Sequence, residues 1–334
     1  MTELITVQDL KTYFFCDEGT VKAVENVSFR INQGKTLGVV GESGCGKSVT
    51  AQSILGIVED NGKVLAGEIL FRPDGAKGKV IDLAKLDPKG SEFRSIRGRM
   101  ISMIFQEPMT SLSPVHTIGN QIVESVLLHQ DIDKKAAREI AAEMLERVGI
   151  KQAQKRLDDY PHSFSGGMRQ RAMIAMALCC KPKLLIADEP TTALDVTIQA
   201  QILDLMRDLQ EEFGMAIMMI THNLSVVANV ADDVVVMYLG QVVEAAPVES
   251  LFADPSHPYT KALLQSIPRL GKKRKEQLAS IEGVVPDAYN IPRGCPFHPR
   301  CSLFHPGLCD QGQPPIVEVG PGHTVRCFYA NGVS

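Results

Sequence analysis

The chain has 334 residues, of which 44% are hydrophobic and 22% are charged. This composition is ordinary for a soluble globular protein, with room for one large domain and an appendage or for two domains. The formal net charge of −4 argues against nucleic-acid binding through a basic face. The longest apolar run, residues 172–180, has nine residues, far fewer than the ~20 that cross a bilayer. Residues 1–5 are acidic and unlike a signal peptide. We therefore expect a cytoplasmic protein that reaches a membrane only through a partner.

The first motif in chain order is a phosphate-binding loop, GESGCGKS at residues 41–48. The apolar run 37–40 predicts a strand before it and residues 49–55 predict a helix after it, the context that this motif requires. Backbone N–H groups would surround the phosphates, Lys47 would reach the β- and γ-phosphates, and the Ser48 hydroxyl would bind Mg²⁺. The predicted nucleotide-binding residues here are Gly41, Ser43, Gly44, Cys45, Gly46, Lys47, Ser48 and Val49.

The elements that follow predict an α/β fold. Residues 100–105 read as a strand, residues 115–180 read as helical, and the apolar runs 183–187 and 215–220 read as buried parallel strands. Strands that alternate with helices around a phosphate-binding loop indicate a core with a mainly parallel sheet.

Two carboxylates follow the strand at 183–187. Asp188 is placed to hold Mg²⁺, usually through water, and Glu189 to orient or deprotonate the water that attacks the γ-phosphate. A solvated acidic strand end would look the same in isolation, but it is a weak alternative beside a phosphate-binding loop.

A third motif, SFSGGMRQR at residues 163–171, opens a helix. Ser165, Gly166 and Gly167 could bind an anion through exposed N–H groups, a hydroxyl and the helix dipole, although Ser165 could also be a simple N-cap. The chain thus has two helix starts that could bind phosphate, and only the first of them carries a lysine. This arrangement suits a second site that serves a nucleotide bound to another subunit.

Together, the motifs at 41–48, 165–170 and 184–189 resemble those of the ATPase subunits of ABC transporters, over roughly residues 4–250. The resemblance implies a P-loop ATPase with a RecA-like core, an antiparallel β-subdomain and a helical subdomain at about 107–180, all within a domain of residues 1–254. It also implies ATP and Mg²⁺ as ligands.

The same resemblance assigns further residues. Gln106 matches the Q-loop glutamine, which contacts Mg²⁺ beside Ser48 and Asp188, and His222 matches the switch histidine, so Glu189, His222 and Gln106 are the expected catalytic set. Asp195 lies in the segment that crosses the dimer interface. Tyr13 occupies the place of the aromatic residue that stacks on adenine, with Phe14 or Phe15 as alternatives. In this family two subunits sandwich two ATP molecules, closing on ATP and reopening after hydrolysis.

The last 80 residues differ in composition from the rest of the chain. Eleven prolines after residue 254 predict a separate, loop-rich module at 255–334. Cys295, Cys301, Cys309 and Cys327 are spaced C-x5-C-x7-C-x17-C, which suits either zinc or an iron–sulfur cluster, and nearby histidines could replace a ligand.

Residues 254–264 and 294–301 resemble the tail of dipeptide and oligopeptide importer ATPases, a group that includes nickel importers. This narrower resemblance implies an irregular metal-binding extension that holds a [4Fe-4S] cluster, with Zn²⁺ as the alternative. It also implies a second homologous ATPase subunit, two transmembrane permeases, an extracytoplasmic peptide-binding protein and a peripheral location on the cytoplasmic face of the inner membrane. The alternatives are import of nickel or another small solute and, less favoured, a soluble ABC ATPase outside transport.

Overall fold

A computed structural model gives the fold and describes residues 2–106, 111–192, 194–266 and 281–330. Predictions for residues 107–110, Ala193, 267–280 and 331–334 lie outside the described residues. These include the first residues of the predicted helical subdomain and one residue of the segment before Asp195.

The larger sheet contains the parallel core. Within the described ranges it has eight strands, in the order β11 (Ile316–Gly320), β12 (His323–Arg326), β10 (Gln241–Pro247), β9 (Asp233–Tyr238), β3 (Thr36–Val40), β8 (Ala216–Thr221), β7 (Leu184–Asp188) and β6 (Ile101–Ile104). The strands from β9 to β6 pair in parallel, whereas β10, β12 and β11 extend the sheet with antiparallel pairs. Every residue of β3, β7 and β8 is buried, as expected of parallel strands that are covered on both faces.

The smaller sheet is antiparallel. It is formed by β1 (Glu3–Cys16), β2 (Gly19–Asn32), β4 (Gly62–Phe71) and β5 (Ile81–Asp82), in the order β2-β1-β4-β5. The predicted antiparallel β-subdomain and α/β core are confirmed.

Helices fill the remaining positions. They are α1 (Lys47–Leu55), α2 (Ser91–Ile96), α3 (Ile118–His129), α4 (Lys134–Arg147), α5 (Ala153–Arg156), α6 (Gly166–Leu178), α7 (Val196–Phe213), α8 (Leu224–Val230), α9 (Val248–Ala253) and α10 (Pro258–Gln265). Thr117 and Asp133 cap α3 and α4 by accepting backbone N–H groups, which satisfies donors that a helix start leaves free. The helical content predicted for 115–180 is found as α3 to α6.

Two cores lie on opposite faces of the larger sheet. Leu185 packs with the helices α3, α4 and α6, while its neighbour Ile186 packs with the smaller sheet. This alternation is the two-residue period of a strand that is buried on both sides. It joins the helical layer, the parallel sheet and the antiparallel sheet into one body.

The tail also packs on the larger sheet. Strand β12 pairs with β10 through Glu244 and Val325, and Phe297 belongs to a third core with Tyr238 and Tyr259. The residues after 254 therefore contain a helix and two strands as well as loops. The domain boundary at 254/255 stays a prediction. In the described part of the chain, no helix has the length and apolar character needed to cross a membrane.

Candidate active site

Four parallel strands bring the predicted site residues to one edge of the sheet. Strand β3 ends before the loop at 41–48, β7 ends at Asp188, β8 ends before His222, and β6 ends two residues before Gln106. Because these strands are parallel, their carboxyl ends share an edge, which is where ligands bind in such sheets.

The phosphate-binding loop is shaped by close backbone approaches. A Cβ on Gly41 would lie 2.3 Å from the carbonyl oxygen of Met237, and one on Gly46 would lie 2.2 Å from that of Ala23. Both glycines also have positive φ, at 155° and 99°. Any other residue is therefore excluded both by the close contact of its Cβ and by the backbone conformation. Gly46 directly precedes α1, and the positive end of that helix faces the loop.

Lys47 is held against the loop that precedes it. Its side-chain nitrogen donates to the carbonyl oxygens of Gly41 at 2.9 Å and Glu42 at 3.0 Å, and the residue is only 5% exposed. The Sγ of Cys45 is a longer contact of the same nitrogen, at 3.7 Å. Burial raises the pKa of the Cys45 thiol despite the nearby lysine, which disfavours the reactive thiolate.

Asp188 offers an oxygen suited to a cation. The residue is 5% exposed, and the Ser48 hydroxyl hydrogen-bonds to its carboxylate. Burial, with a contribution from the charge of Glu189, raises the pKa of Asp188. Among the residues that the structure describes, none gives its buried Oδ1 a hydrogen-bond partner. A buried, partly unsatisfied carboxylate beside a hydroxyl fits the oxygen donors that Mg²⁺ prefers.

Glu189 is surrounded by hydrogen-bond donors. Gln106 Nε2 lies 3.1 Å and Thr192 Oγ1 lies 2.9 Å from its Oε2, while His222 Nδ1 lies 3.0 Å from its Oε1. Burial favours the neutral form, but the bonds from His222 and Thr192 outweigh it and lower the pKa of Glu189. The carboxylate is therefore ionised near neutral pH and oriented through both oxygens.

The serine–glycine motif lies at an exposed helix start. Ser165 caps α6 by accepting the backbone N–H of Met168 at 3.3 Å, so its hydroxyl has the capping role considered from sequence. A Cβ on Gly167 would lie 3.3 Å from the side chain of Ile198, and Asp195 caps α7 by accepting the N–H groups of Thr197 and Ile198. The motif and the segment at Asp195 are thus neighbours on the surface.

Tyr13 lies beside the strand that covers the phosphate-binding loop. Its hydroxyl donates to Glu25, and the Lys22 amine lies 5.7 Å from its ring centroid. Burial and the bond to Glu25 raise the pKa of Tyr13 to about 12. Lys22 precedes Ala23, whose carbonyl borders Gly46. Phe15, one of the alternatives to Tyr13, is 48% exposed.

Sequence reasoning missed three residues that contact the site. Thr192 lies within a recognised motif, but its bond to Glu189 was not anticipated. Arg300 and Tyr259 come from the tail and contact Glu42 of the phosphate-binding loop. No local pattern reports a contact between residues 258 positions apart.

The four tail cysteines are near one another but do not show a metal site. Burial and then the charges of the other three raise the pKa of Cys295 to about 11. The Sγ atoms of Cys301 and Cys327 each accept a backbone N–H at 3.4 Å, from Leu303 and Tyr329. All four thiols are free of disulfide bonds. Across the ranges that the structure describes, no group of three or more His, Cys, Asp or Glu side chains is arranged to hold a metal ion, so the metal-binding character predicted for the extension is not shown.

Comparison with known families matches this architecture. Residues 24–192 match the family model described as ABC transporter, and residues 243–309 match the model described as oligopeptide/dipeptide transporter, C-terminal region. The chain therefore belongs to the ABC transporter family of ATP-binding proteins.

Individual relatives are similar in sequence to this chain over nearly its whole length. It is 50% identical over 331 residues to a protein of Sinorhizobium fredii named probable peptide ABC transporter ATP-binding protein y4tR, covering 99% of this chain and 96% of that one. It is 50% identical over 329 residues to the oligopeptide transport ATP-binding protein AppD of Bacillus subtilis, covering 98% and 97%.

A solved structure is also similar. The ATP-binding cassette MJ0796, described as a dimeric post-hydrolysis state bound to ADP and Pi, shares a TM-score of 0.63 and 25% identity, over 73% of this chain and 98% of that one. The predicted ABC ATPase class is confirmed.

Proposed function

We propose that this chain is the ATP-hydrolysing subunit of an ABC importer for dipeptides or oligopeptides. Hydrolysis rests on one observation above all: the ionised Glu189, held by three donors, lies next to Asp188 and so beside Ser48 of the phosphate-binding loop. The peptide cargo is supported by the match of residues 243–309 and by the names of full-length relatives.

In this proposal, ATP binds at the loop 41–48. The N–H groups of Ser43 to Ser48 and the Val49 amide surround the phosphates, and the Lys47 amine, positioned by the carbonyls of Gly41 and Glu42, reaches the β- and γ-phosphates. The ring of Tyr13 stacks on adenine. Ser48, Asp188 and Gln106 would hold Mg²⁺, which would supply positive charge to offset that of the phosphates.

Glu189 then acts as the general base. It accepts a proton from the attacking water as the water oxygen bonds to the γ-phosphorus. The bond to the bridging oxygen breaks, and ADP leaves with the electron pair. Gln106 and His222 orient the Glu189 carboxylate. The lowered pKa of Glu189 keeps the base in its proton-accepting form at neutral pH.

A second ATPase subunit completes each site in this proposal. Ser165, Gly166 and Gly167 start a helix at the surface, where their N–H groups can reach the γ-phosphate of a nucleotide bound to the partner, with Asp195 at the same interface. The dimeric state of a similar cassette supports this arrangement. We propose a homologous partner subunit, two permease subunits and an extracytoplasmic binding protein, which together place the chain at the cytoplasmic face of the membrane.

We also propose that Cys295, Cys301, Cys309 and Cys327 hold a [4Fe-4S] cluster in preference to Zn²⁺. Four thiols, two of which accept backbone N–H groups, form a donor set of the kind that holds such clusters. The preference for a cluster over zinc rests on the resemblance of residues 294–301 to the tail of the peptide-importer ATPases. Anaerobic purification followed by iron, sulfide and zinc analysis decides: stoichiometric zinc without iron would exclude the cluster.

The transport proposal is tested on the chain co-purified with its permeases in vesicles, together with the binding protein. ATP hydrolysis is measured with a dipeptide, an oligopeptide or chelated nickel, and the Lys47→Ala subunit is the control for contaminating ATPase. We expect severalfold stimulation by peptide. Stimulation by nickel alone would identify nickel, and not peptide, as the transported solute. Recovery of the chain without membrane partners would reject the transport function.

A further inference from the structure

The tail holds the second residue of the phosphate-binding loop by its side chain. Arg300 donates to both carboxylate oxygens of Glu42, with Nη1 to Oε2 at 2.7 Å and Nη2 to Oε1 at 3.1 Å. The Arg300 side chain is only 4% exposed. A paired arginine–carboxylate contact of this kind fixes orientation as well as distance, and it offsets the negative charge that Glu42 brings to a polyphosphate site.

The tail also holds the backbone of the same residue. The N–H of Glu42 donates to the Tyr259 hydroxyl at 2.9 Å, and Tyr259 is fully buried at the start of α10. The carbonyl of Glu42 accepts from Lys47. Glu42, whose carbonyl is one of the two that accept from the lysine amine, is thus attached to the tail through its backbone N–H and its side chain.

The two tail residues are themselves rigidly placed. Tyr259 lies 4.8 Å from the ring of Tyr238 and 5.3 Å from that of Phe297, measured between centroids. Arg300 also donates to the Tyr238 hydroxyl at 3.5 Å and to the Glu282 carbonyl at 3.2 Å. Tyr238 ends β9 of the main sheet, so these contacts connect the tail, the sheet and the loop in one packed cluster.

We propose that Arg300 and Tyr259 are positioning residues of the ATP site, through which the tail sets the conformation and charge of the phosphate-binding loop. Arg300 keeps the Glu42 carboxylate neutralised and turned away from the phosphates. Tyr259 keeps the peptide group between Gly41 and Glu42 in the orientation that directs the Gly41 carbonyl to Lys47. The inference rests on the proposed ATP site but not on the transported cargo.

The test measures binding of ADP with Mg²⁺ to the full-length chain by calorimetry. We expect Arg300→Gln to weaken binding about tenfold, because it leaves a partly buried carboxylate unpaired beside the phosphates. Arg293→Gln, at an exposed tail arginine, is the matched control and should bind as the wild type does. Tyr259→Phe should weaken binding by a smaller factor.

A double mutant separates positioning from a general structural effect. If Arg300 acts through Glu42, then Glu42→Gln removes the unpaired charge, and adding Arg300→Gln in that background should change affinity less than twofold. If Arg300→Gln fails to fold, Arg300→Lys, which keeps the charge without the paired geometry, takes its place. The melting temperature without nucleotide is recorded for every variant.

Two results would overturn the inference while leaving the ATP site intact. One is wild-type ADP affinity in a folded Arg300→Gln or Arg300→Lys chain. The other is an equal loss of affinity with and without Glu42→Gln. Failure of the wild-type chain itself to bind ADP would instead reject the proposed function.

Discussion

Glu189 combines an unusual backbone conformation with a complete set of side-chain partners. Its φ of 47° lies in the region that costs non-glycine residues ~1–3 kcal/mol. The backbone N–H of Glu189 donates to the Ile220 carbonyl at 2.9 Å, and Thr192 N donates to the Glu189 carbonyl at 3.1 Å. The turn directs the carboxylate toward Gln106 and His222 at the ends of other strands. Strain of this kind at a site residue is consistent with a functional constraint.

At this residue scale we expect Glu189→Gln to lower ATP hydrolysis by about 10²–10⁴-fold, because the amide keeps the side-chain shape but cannot accept a proton. Affinity for ATP with Mg²⁺ should remain within a few-fold of wild type, because Lys47 and the loop are unchanged. Phosphate release and nucleotide binding are measured on the same preparation. Glu211→Gln, at an exposed position on α7, is the control. Equal hydrolysis by Glu189→Gln and wild type would show that another group is the base.

Among the elements, α10 depends on an unusual cap. His257 is 1% exposed, and its Nδ1 accepts the backbone N–H of Tyr259 at 3.0 Å. The proton of the neutral ring is therefore on Nε2, and the helix begins with Pro258, which suits a first helical position. Burial lowers the pKa of His257 to about 3, so the cap requires the neutral form.

This cap gives the fold a pH dependence. The folded pKa is below the unfolded value of about 6.5, so the unfolded chain takes up a proton that the folded protein excludes. The contribution to stability is complete above about pH 6.5 and is lost as the pH falls toward 3. We expect the free energy of unfolding to drop by about 2 kcal/mol between pH 7.5 and 5 from this residue alone.

Denaturant unfolding across that range measures the effect. His257→Asn keeps a capping oxygen but has no titrating ring, so its stability should fall less steeply with acid. His162→Asn, at an exposed histidine, should keep the wild-type slope. Identical slopes for His257→Asn and wild type would mean that His257 does not carry this dependence.

The elements also show what the sequence could predict. The strand and helix around the loop 41–48 were predicted because an apolar run, a glycine-rich motif and a helical period are local signals, and β3 and α1 match them. The prolines of the tail predicted loops, but Pro258 begins a helix. Strand β12 gains its stability from pairing with β10, and β11 from pairing with β12. No local pattern reports these pairings. The Arg300–Glu42 pair was missed for the same reason.

For the whole molecule, the arrangement of the two helix starts decides how the site is completed. In the loop at 41–48, Lys47 is buried against its own chain, and only the tip at Ser43 and Gly44 is exposed. Ser165 and Gly166, in contrast, lie exposed at the start of α6. We therefore expect the first helix start to serve the nucleotide of its own chain and the second to serve the nucleotide of a partner.

Gly166 allows this expectation to be tested without disturbing the fold. A Cβ there would meet nothing within 4 Å, and an aspartate in the first turn of a helix favours the helix by ~0.3–1 kcal/mol. Gly166→Asp should therefore match or exceed the wild-type melting temperature and bind ADP normally. It should nevertheless repel the γ-phosphate of a nucleotide held by the partner.

Light scattering measures ATP-dependent dimerisation in the Glu189→Gln background. The second ATPase subunit is included when it co-purifies. We expect ATP to produce a dimer, Gly166→Ala to retain much of it, and Gly166→Asp to abolish it while leaving ADP affinity unchanged. The carboxylate stabilises its own helix, so the melting temperature should not fall. With that temperature unchanged, the loss of the dimer is explained by repulsion of the γ-phosphate of the nucleotide that the partner holds. A Gly166→Asp chain that still dimerised with ATP would place the γ-phosphate elsewhere and exclude the shared site.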